Sequence, residues 1–388
     1  MTDSLSDLDG VGRYAVRLIA ALEKQRPELE VEILLARKHR PTSRDVPKHW
    51  AVEVALPPDY FYYMTPTRYW PSLALATLRV ARRARRADVV HAIKDYPHSY
   101  AGLLGARLAG KPCVGTAHGT YSVQPLLSQR HASRARWTYE QLAALVSVSR
   151  YTRKRLLELL APTGFDAERI HVIPNAVSAA HYRARRPIGA RPWHASPYTL
   201  SIGEVKERKG HHLALGAWCR VAPKYAGLRH YVVGNATGDE YHRSLLARIE
   251  SAGLADRVEF LGNVSEDEKV DLLQRAQVFV HTPVTASDGG FEGFGIVYLE
   301  AAACGVPAIG TLDCGAEDAI EDEVTGLLVA QTEDAVAAAL ERLLADAELR
   351  GRIGRAAVAH AERSSWDDNA AHVLALYDRV MRSGRATR

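Results

Sequence analysis

The run Gly289-Gly-Phe-Glu-Gly-Phe-Gly-Ile-Val-Tyr-Leu-Glu300 decides how this chain is read. Residues 289–295 are glycine-rich and lack a helical apolar period, whereas residues 296–303 are apolar or small around one Glu. A helix is therefore expected to begin at Gly295 or Ile296. The first turn of a helix has backbone N–H groups without intrahelical partners and carries the positive end of the dipole, and glycine lets an anion approach that backbone closely. Eight residues of mostly helical chain span ~12 Å at ~1.5 Å per residue, which matches a sugar diphosphate joined to a ribose. Carboxylates only accept hydrogen bonds and suit vicinal hydroxyls. Glu292 is thus read as the ligand of a sugar's hydroxyls and Glu300 as that of a ribose, with the amides of Gly293, Phe294, Gly295, Ile296 and Val297 holding a diphosphate between them. Taken in isolation, a Glu pair at this spacing is commonly a loop carboxylate and a helix charge; the glycines and the apolar helix behind them are what change the weighting.

Composition sets the frame. The chain has 388 residues, 47% hydrophobic and 24% charged, enough for two domains rather than a disordered segment. The net charge of +5 is mild for this size, and no zinc-finger, RNA-recognition or basic-zipper pattern supports a nucleic-acid partner. No apolar run reaches the ~20 residues that span a bilayer, and the first residues lack the basic and apolar parts of a signal peptide. A cytoplasmic protein is expected, with peripheral contact at the inner membrane face left open. Cys113, Cys219, Cys304 and Cys314 are scattered and read as reduced core or helix residues, so neither a disulfide framework nor a structural zinc is expected. Asp7-Leu-Asp9 spells a metal-type Asp-x-Asp, but in a polar terminal segment, and is read as chance.

Apolar runs of strand length alternate with amphipathic runs of helix length. Strands are expected near residues 31–36, 89–93, 112–116, 144–148 and 171–173, with helices at 14–25, 72–86 and 99–109 between them. After an Arg- and Pro-rich stretch the rhythm restarts, with strands near 198–202, 230–233, 257–260, 278–281 and 308–310 and helices near 211–221, 240–252, 266–275 and 295–303. This is the pattern of βαβ units, and two open α/β sheets are its simplest account. The expected division is a first domain at 1–182, a linker at 183–197, a second domain at 198–363 and a final helix in 364–388, whose apolar face is Val373, Leu374, Leu376, Tyr377 and Val380.

Residues 289–307 resemble the donor-site signature of family 4 retaining glycosyltransferases, which have the α/β GT-B fold of two Rossmann-like domains facing each other across a cleft. Other segments match in the same order: Gly10-Val-Gly-Arg-Tyr14, Thr116-Ala-His-Gly119, residues 146–153, Val172-Ile-Pro-Asn-Ala176, residues 202–210, residues 258–264 and Thr325-Gly-Leu-Leu-Val329. The resemblance implies a nucleotide diphosphate sugar donor, a saccharide, lipid-linked or small-molecule acceptor, retention of anomeric configuration, no metal or other cofactor, and a final helix that returns to the first domain. It places Gly12 in a loop beside the donor phosphate, His118 against the donor hexose, and base contacts near Gly262-Asn263-Val264. Lys209, in a loop after an expected strand, is the compact charge that neutralises the diphosphate; the plain alternative is a solvated lysine. His91, His98, His171, His181, His211 and His281 are left as structural.

The sequence departs from the family in two places. Many members have an Arg directly after the first glycine of the 203–210 motif, where this chain has Glu204, so Lys206 and Arg208 are the candidates for the second positive charge. The family also has a buried strand before the first glycine loop, and only nine mostly polar residues precede Gly10 here; either the true start lies upstream or the chain is trimmed, and if the strand is absent the first sheet lacks a central member. Two other classes stay open: a catalytically silent sugar-nucleotide-binding subunit and a sugar-nucleotide epimerase. The acceptor is not legible. The aromatic stretch from Tyr60 to Trp70 and the cluster Arg79, Arg82, Arg83, Arg85 and Arg86 offer stacking, a membrane interface or an anionic ligand, or simply a solvated helix face.

Overall fold

The structure is a computed structural model that describes residues 1–6, 9–37 and 46–386. The chain divides into two compact units: Met1–Asn175 with Trp366–Arg388, and Ala176–Ser365. All four cysteines are free.

In the first unit, β1 (Glu32–Ala36) pairs in parallel with β2 (Ala51–Leu56), and β3 (Val90–Ala92), β4 (Cys113–Ala117), β5 (Ala144–Ser147) and β6 (Ile170–Val172) form a four-stranded parallel sheet in that order. The missing central member is supplied by residues 1–6. The Thr2 N–H donates to Leu34 O at 3.1 Å and the Ile93 N–H donates to Met1 O at 2.8 Å, so this segment runs between β1 and β3. Hydropathy hid it, because Thr2, Asp3, Ser4 and Ser6 are buried with Leu5 as the one apolar core residue among them. Their polarity is compensated locally: Lys94 pairs with Asp3 at 2.6 Å, and the Ser4 hydroxyl donates to Asp9 at 2.7 Å. Buried polar groups are tolerated when paired in this way.

Asp9 also caps the helix Gly10–Gln25, accepting from the Gly12 N–H at 2.6 Å. That helix begins four residues before the expected Tyr14, so Gly10-Val-Gly-Arg-Tyr is its first turn. A Cβ on Gly12 would stand 2.6 Å from the Ser6 nitrogen, so the absent side chain makes room for the N-terminal segment. Asp7 lies outside the described residues. The final helix, Trp366–Ala386, buries Val373, Leu374, Leu376, Tyr377 and Val380 and joins the first unit through a two-pronged Arg26–Asp378 pair at 3.0 and 2.8 Å.

The second unit is one parallel six-stranded sheet built from β7 (Tyr198–Ile202), β8 (Arg229–Val233), β9 (Val258–Gly262), β10 (Val278–Val280), β11 (Ala308–Thr311) and β12 (Gly326–Val329). Its spatial order is β12-β11-β10-β7-β8-β9, the doubly wound arrangement in which the direction of winding reverses between β7 and β10. β7, β8 and β10 are buried almost throughout, as central parallel strands are when helices cover both faces. β2 and β12 were not expected from the sequence. Both sit at sheet edges; Glu53 interrupts the apolar residues of β2, and β12 is a four-residue segment that opens on Gly326. Residues 183–197 belong with the second unit, where the Trp193 indole N–H and the His194 ring both bond Asp271, at 2.8 and 2.7 Å.

Candidate donor-binding site

In an open parallel sheet, ligands bind outside the carboxyl ends of the strands where the winding reverses. Two segments leave that point in the second unit: residues 203–210 after β7 and residues 281–295 after β10. They are bound to each other. The Val284 N–H donates to Arg208 O at 3.1 Å, the Thr282 hydroxyl to Gly210 O at 2.9 Å, and the Ser287 hydroxyl to Glu207 at 2.8 Å. Gly210 has φ 66°, and a Cβ there would fall 1.6 Å from Thr282 O, so no other residue fits.

This stitching brings Lys209 onto Glu292, two residues read independently from the sequence. Their side chains form an ion pair and are 16% and 11% exposed. His281 joins from the other side, Nε2 lying 3.4 Å from Glu292 Oε2, while the Tyr298 hydroxyl donates to His281 O at 2.6 Å. Burial alone would raise the Glu292 carboxyl, but Lys209, the His281 hydrogen bond and Arg208 outweigh it and hold it well below the ordinary range. Burial lowers Lys209, an effect that Glu292 opposes and Arg208 reinforces. Burial likewise lowers His281, so its ring is neutral near pH 7 and Nε2–H donates to the carboxylate. Its buried Nδ1 has no hydrogen-bond partner among the described residues.

The helix beyond begins where the sequence placed it, at Ile296, and runs to Ala303 with Gly295 as a left-handed cap at φ 81°. Glu292 O accepts from the Gly315 N–H at 2.9 Å, and a Cβ on Gly315 would lie 2.3 Å from the Gly293 carbonyl carbon. Gly315 therefore braces the turn of Gly293, Phe294 and Gly295 from behind. Ile296 and Val297, at the open end of the helix, are only half-buried.

Glu300 sits on that helix in a different environment. It is fully buried, accepts from the Tyr182 hydroxyl at 2.7 Å, and lies 3.2 Å from Lys269 Nζ. Lys269 is itself 6% exposed, donates to the Tyr182 hydroxyl at 3.0 Å and pairs with Glu266 at 2.9 Å. The ribose carboxylate of the sequence reading is thus held inside a Tyr-Lys-Glu network. Of the two cations weighed as replacements at Glu204, Lys206 pairs with Glu204 itself at 2.9 Å and is 44% exposed. Arg208 lies 4.0 Å from the same Glu204 but is only 20% exposed, and its charge also acts on both Lys209 and Glu292, so of the two it bears more directly on that pair. Asn263 and Val264 follow β9, two strands from β7, or ~10 Å at ~4.8 Å per strand.

His118 and Gly12 belong to the first unit. His118 follows β4, as expected; its Nε2 donates to Ile93 O at 2.9 Å, its N–H donates to Asp95 at 3.2 Å, and Tyr14 meets its ring edge-on at 4.9 Å. Burial lowers its pKa, with Asp95 opposing. The arginine run is largely tied to β2: Arg83 reaches Glu53 at 2.5 Å, Arg82 reaches Glu53 at 3.6 Å, and Arg79 reaches Ala55 O at 3.3 Å. In the aromatic stretch Phe61 and Tyr69 are core residues, whereas Tyr60, Tyr63 and Trp70 are exposed.

The sequence reading missed His281, Lys269, Tyr182 and Gly315. His281 carried the signal that picked out His118, a histidine closing an apolar strand. Lys269 sits in the acidic helix Glu266–Arg275 and Tyr182 in the five-residue helix Ala179–Arg183, where nothing local points toward Glu300.

Residues 8–181 match the family described as Glycosyltransferase Family 4, and residues 191–360 that described as Glycosyl transferases group 1. The chain is 31% identical over 318 residues to a D-inositol 3-phosphate glycosyltransferase of Paenarthrobacter aurescens (strain TC1), covering 77% of this chain and 74% of that protein. It is 28% identical over 303 residues to a GDP-mannose-dependent alpha-(1-6)-phosphatidylinositol monomannoside mannosyltransferase of Mycolicibacterium smegmatis, covering 74% and 76%. Among solved structures, Anabaena Alr3699/HepE in complex with UDP and glucose superposes with a TM-score of 0.75 at 19% identity, over 97% of this chain and 98% of that one. With two Rossmann-like units and matches along nearly its whole length, the chain belongs to the family 4 glycosyltransferases and has the GT-B fold.

Proposed function

We propose that this glycosyltransferase is a retaining, metal-independent hexosyltransferase that uses a nucleotide diphosphate sugar and a saccharide, lipid-linked or small-molecule acceptor. The observation that carries the reading is the Lys209–Glu292 pair, set beside a helix start where the sheet's winding reverses. The acceptor oxygen attacks the anomeric carbon on the face from which the diphosphate leaves, the bond from that carbon to the phosphate oxygen breaks, and this oxygen takes the acceptor's proton. Charge then grows on the diphosphate, and Lys209, Arg208 and the amides of residues 293–297 stabilise it without rearranging. The positive charge of Lys209 and Arg208 is the support for a reaction that needs no metal.

Glu292, kept ionised by Lys209 and His281, accepts hydrogen bonds from hexose hydroxyls. Glu300 takes the ribose hydroxyls in exchange for the Tyr182 hydroxyl it now holds. His118 presents Nδ1 to a sugar hydroxyl, since Nε2–H is committed to Ile93 O; Gly12 lies beside the donor phosphate and the 262–264 backbone meets the base. Among the described residues no helix is long and apolar enough to cross a membrane, and peripheral contact is supported by exposed Trp70, Leu75 and Leu78 on the helix Pro66–Ala84. Relatives named as transferases argue against a silent subunit or an epimerase.

The test is a thermal-shift panel of uridine, guanosine and adenosine diphosphate sugars, followed by transfer assays with the stabilising donor. A ligand that binds only the folded form raises the melting temperature by mass action. One nucleotide is expected to stand out and to yield transfer with retained configuration. An inverted product, or no stabilisation by any donor, would overturn the reading.

A further inference from the structure

The first unit has a groove far in sequence from the donor-site segments. Its volume is about 600 Å³, and it runs along β6 between the helix Arg150–Leu160 and the final helix. Arg150, Arg153 and Lys154 stand three and four residues apart and so share one face of the first helix. His372, Leu376 and Arg379 share a face of the second by the same spacing. His171 rises from β6 between them, and Glu168 is the single acidic side chain in the lining. The floor is apolar, with Ile173 and Leu376 buried at 5% and 3% exposure.

Elsewhere some surface arginines face acids, as in Arg26–Asp378, Arg248–Glu333 and Arg342–Glu323. Among the described residues, Arg153, Lys154 and Arg379 make no ion pair; Arg153 turns instead to the carbonyls of Ile170 and Ala167 at 3.2 Å each. Burial lowers His171, and Arg379 lowers it further, so the groove's field comes from fixed cations. Such a field in a concave, apolar-floored site concentrates anions and weakens with added salt. Guanidinium groups are matched to phosphate oxygens in geometry as well as charge.

We propose that this groove binds a phosphate-bearing ligand, separately from the donor site, with Arg153, Lys154 and Arg379 as the phosphate contacts and the apolar floor carrying the ligand's less polar part. The ligand is either a free phosphate ester or the headgroup of a phospholipid. Lys154 and Arg379 are exposed and outside the proposed catalytic machinery, so Lys154→Glu/Arg379→Glu reverses the field without unfolding the chain.

Inorganic pyrophosphate titrated calorimetrically at low ionic strength should show two sites on the wild type, and the double variant should lose one of them while binding nucleoside diphosphate normally. A single site lost in the variant would support the groove and count against the donor-site reading. The sources are separated by sedimentation with phosphatidylglycerol and phosphatidylcholine vesicles: wild-type binding to the anionic vesicles alone, reduced at least tenfold in the variant, assigns a lipid headgroup. Pyrophosphate binding without vesicle binding assigns a soluble phosphate ester. Pyrophosphate and vesicle binding that are both the same in wild type and variant would overturn the proposal.

Discussion

Lys209 and Glu292 are the residues on which the site turns, and their mutual burial makes them costly to separate. Removing one member of a buried pair leaves the other charge uncompensated, at a cost of about 3 kcal/mol. Lys209→Met should therefore lose about that much in urea denaturation, while Lys209→Met/Glu292→Leu loses clearly less, since neither charge is stranded. The pair also sets an acid response. Glu292 titrates well below its unfolded value of about 4.3 when folded, so its contribution is complete above that pH and is lost as pH falls through the folded value. Glu292→Gln should lack this part of the acid-induced fall in stability. Tyr182 is the other informative residue. If its hydroxyl competes with a ribose for Glu300, Tyr182→Phe should tighten nucleoside diphosphate binding about fivefold, the worth of about one hydrogen bond, and lower the melting temperature. Weaker nucleotide binding in this variant would show instead that the hydroxyl positions Glu300 for the ligand. The sequence identified both glutamates from the glycine turn and helix start between them, but not the partners of Glu300, because a buried polar network is assembled by tertiary contact and leaves no local pattern.

At the scale of elements, the site is a junction of two loops fixed by glycines. Gly210 admits Thr282, and Gly315 braces the peptide between Gly293 and Phe294. Gly315→Ala should push the 292–295 turn outward, weakening nucleotide binding at least tenfold, with a stability cost of about 1–3 kcal/mol for overpacking; titration and urea denaturation would read the two effects separately. Elements with a strong period were legible: the helices His211–Val221 and Glu266–Arg275 and the strand β7 lie where the sequence placed them. Edge strands β2 and β12 were not, β2 being interrupted by Glu53 and β12 opening on Gly326, and the segment containing Thr2, Asp3 and Ser4 was not, because a buried stretch of polar residues mimics a loop until its partners are known.

Across the whole molecule, the alternation of strand and helix announced two parallel sheets, and the doubly wound order of the second unit explains why the 203–210 and 281–295 segments converge although some eighty residues separate them in the chain. The grouping of Trp366–Arg388 with Met1–Asn175 left only an apolar face in the residues themselves, and the return to the first domain was expected from the family resemblance. The central claim is that the donor's diphosphate rests on Lys209 and the amides at the start of the helix Ile296–Ala303, with Glu292 holding the sugar. Calorimetric titration of the preferred nucleoside diphosphate and its sugar into wild type, Lys209→Met and Glu292→Gln tests it most directly. Lys209→Met should weaken both ligands tenfold or more, and Glu292→Gln should weaken the nucleotide sugar while sparing the diphosphate. Unchanged affinity for both ligands in Lys209→Met would contradict the account.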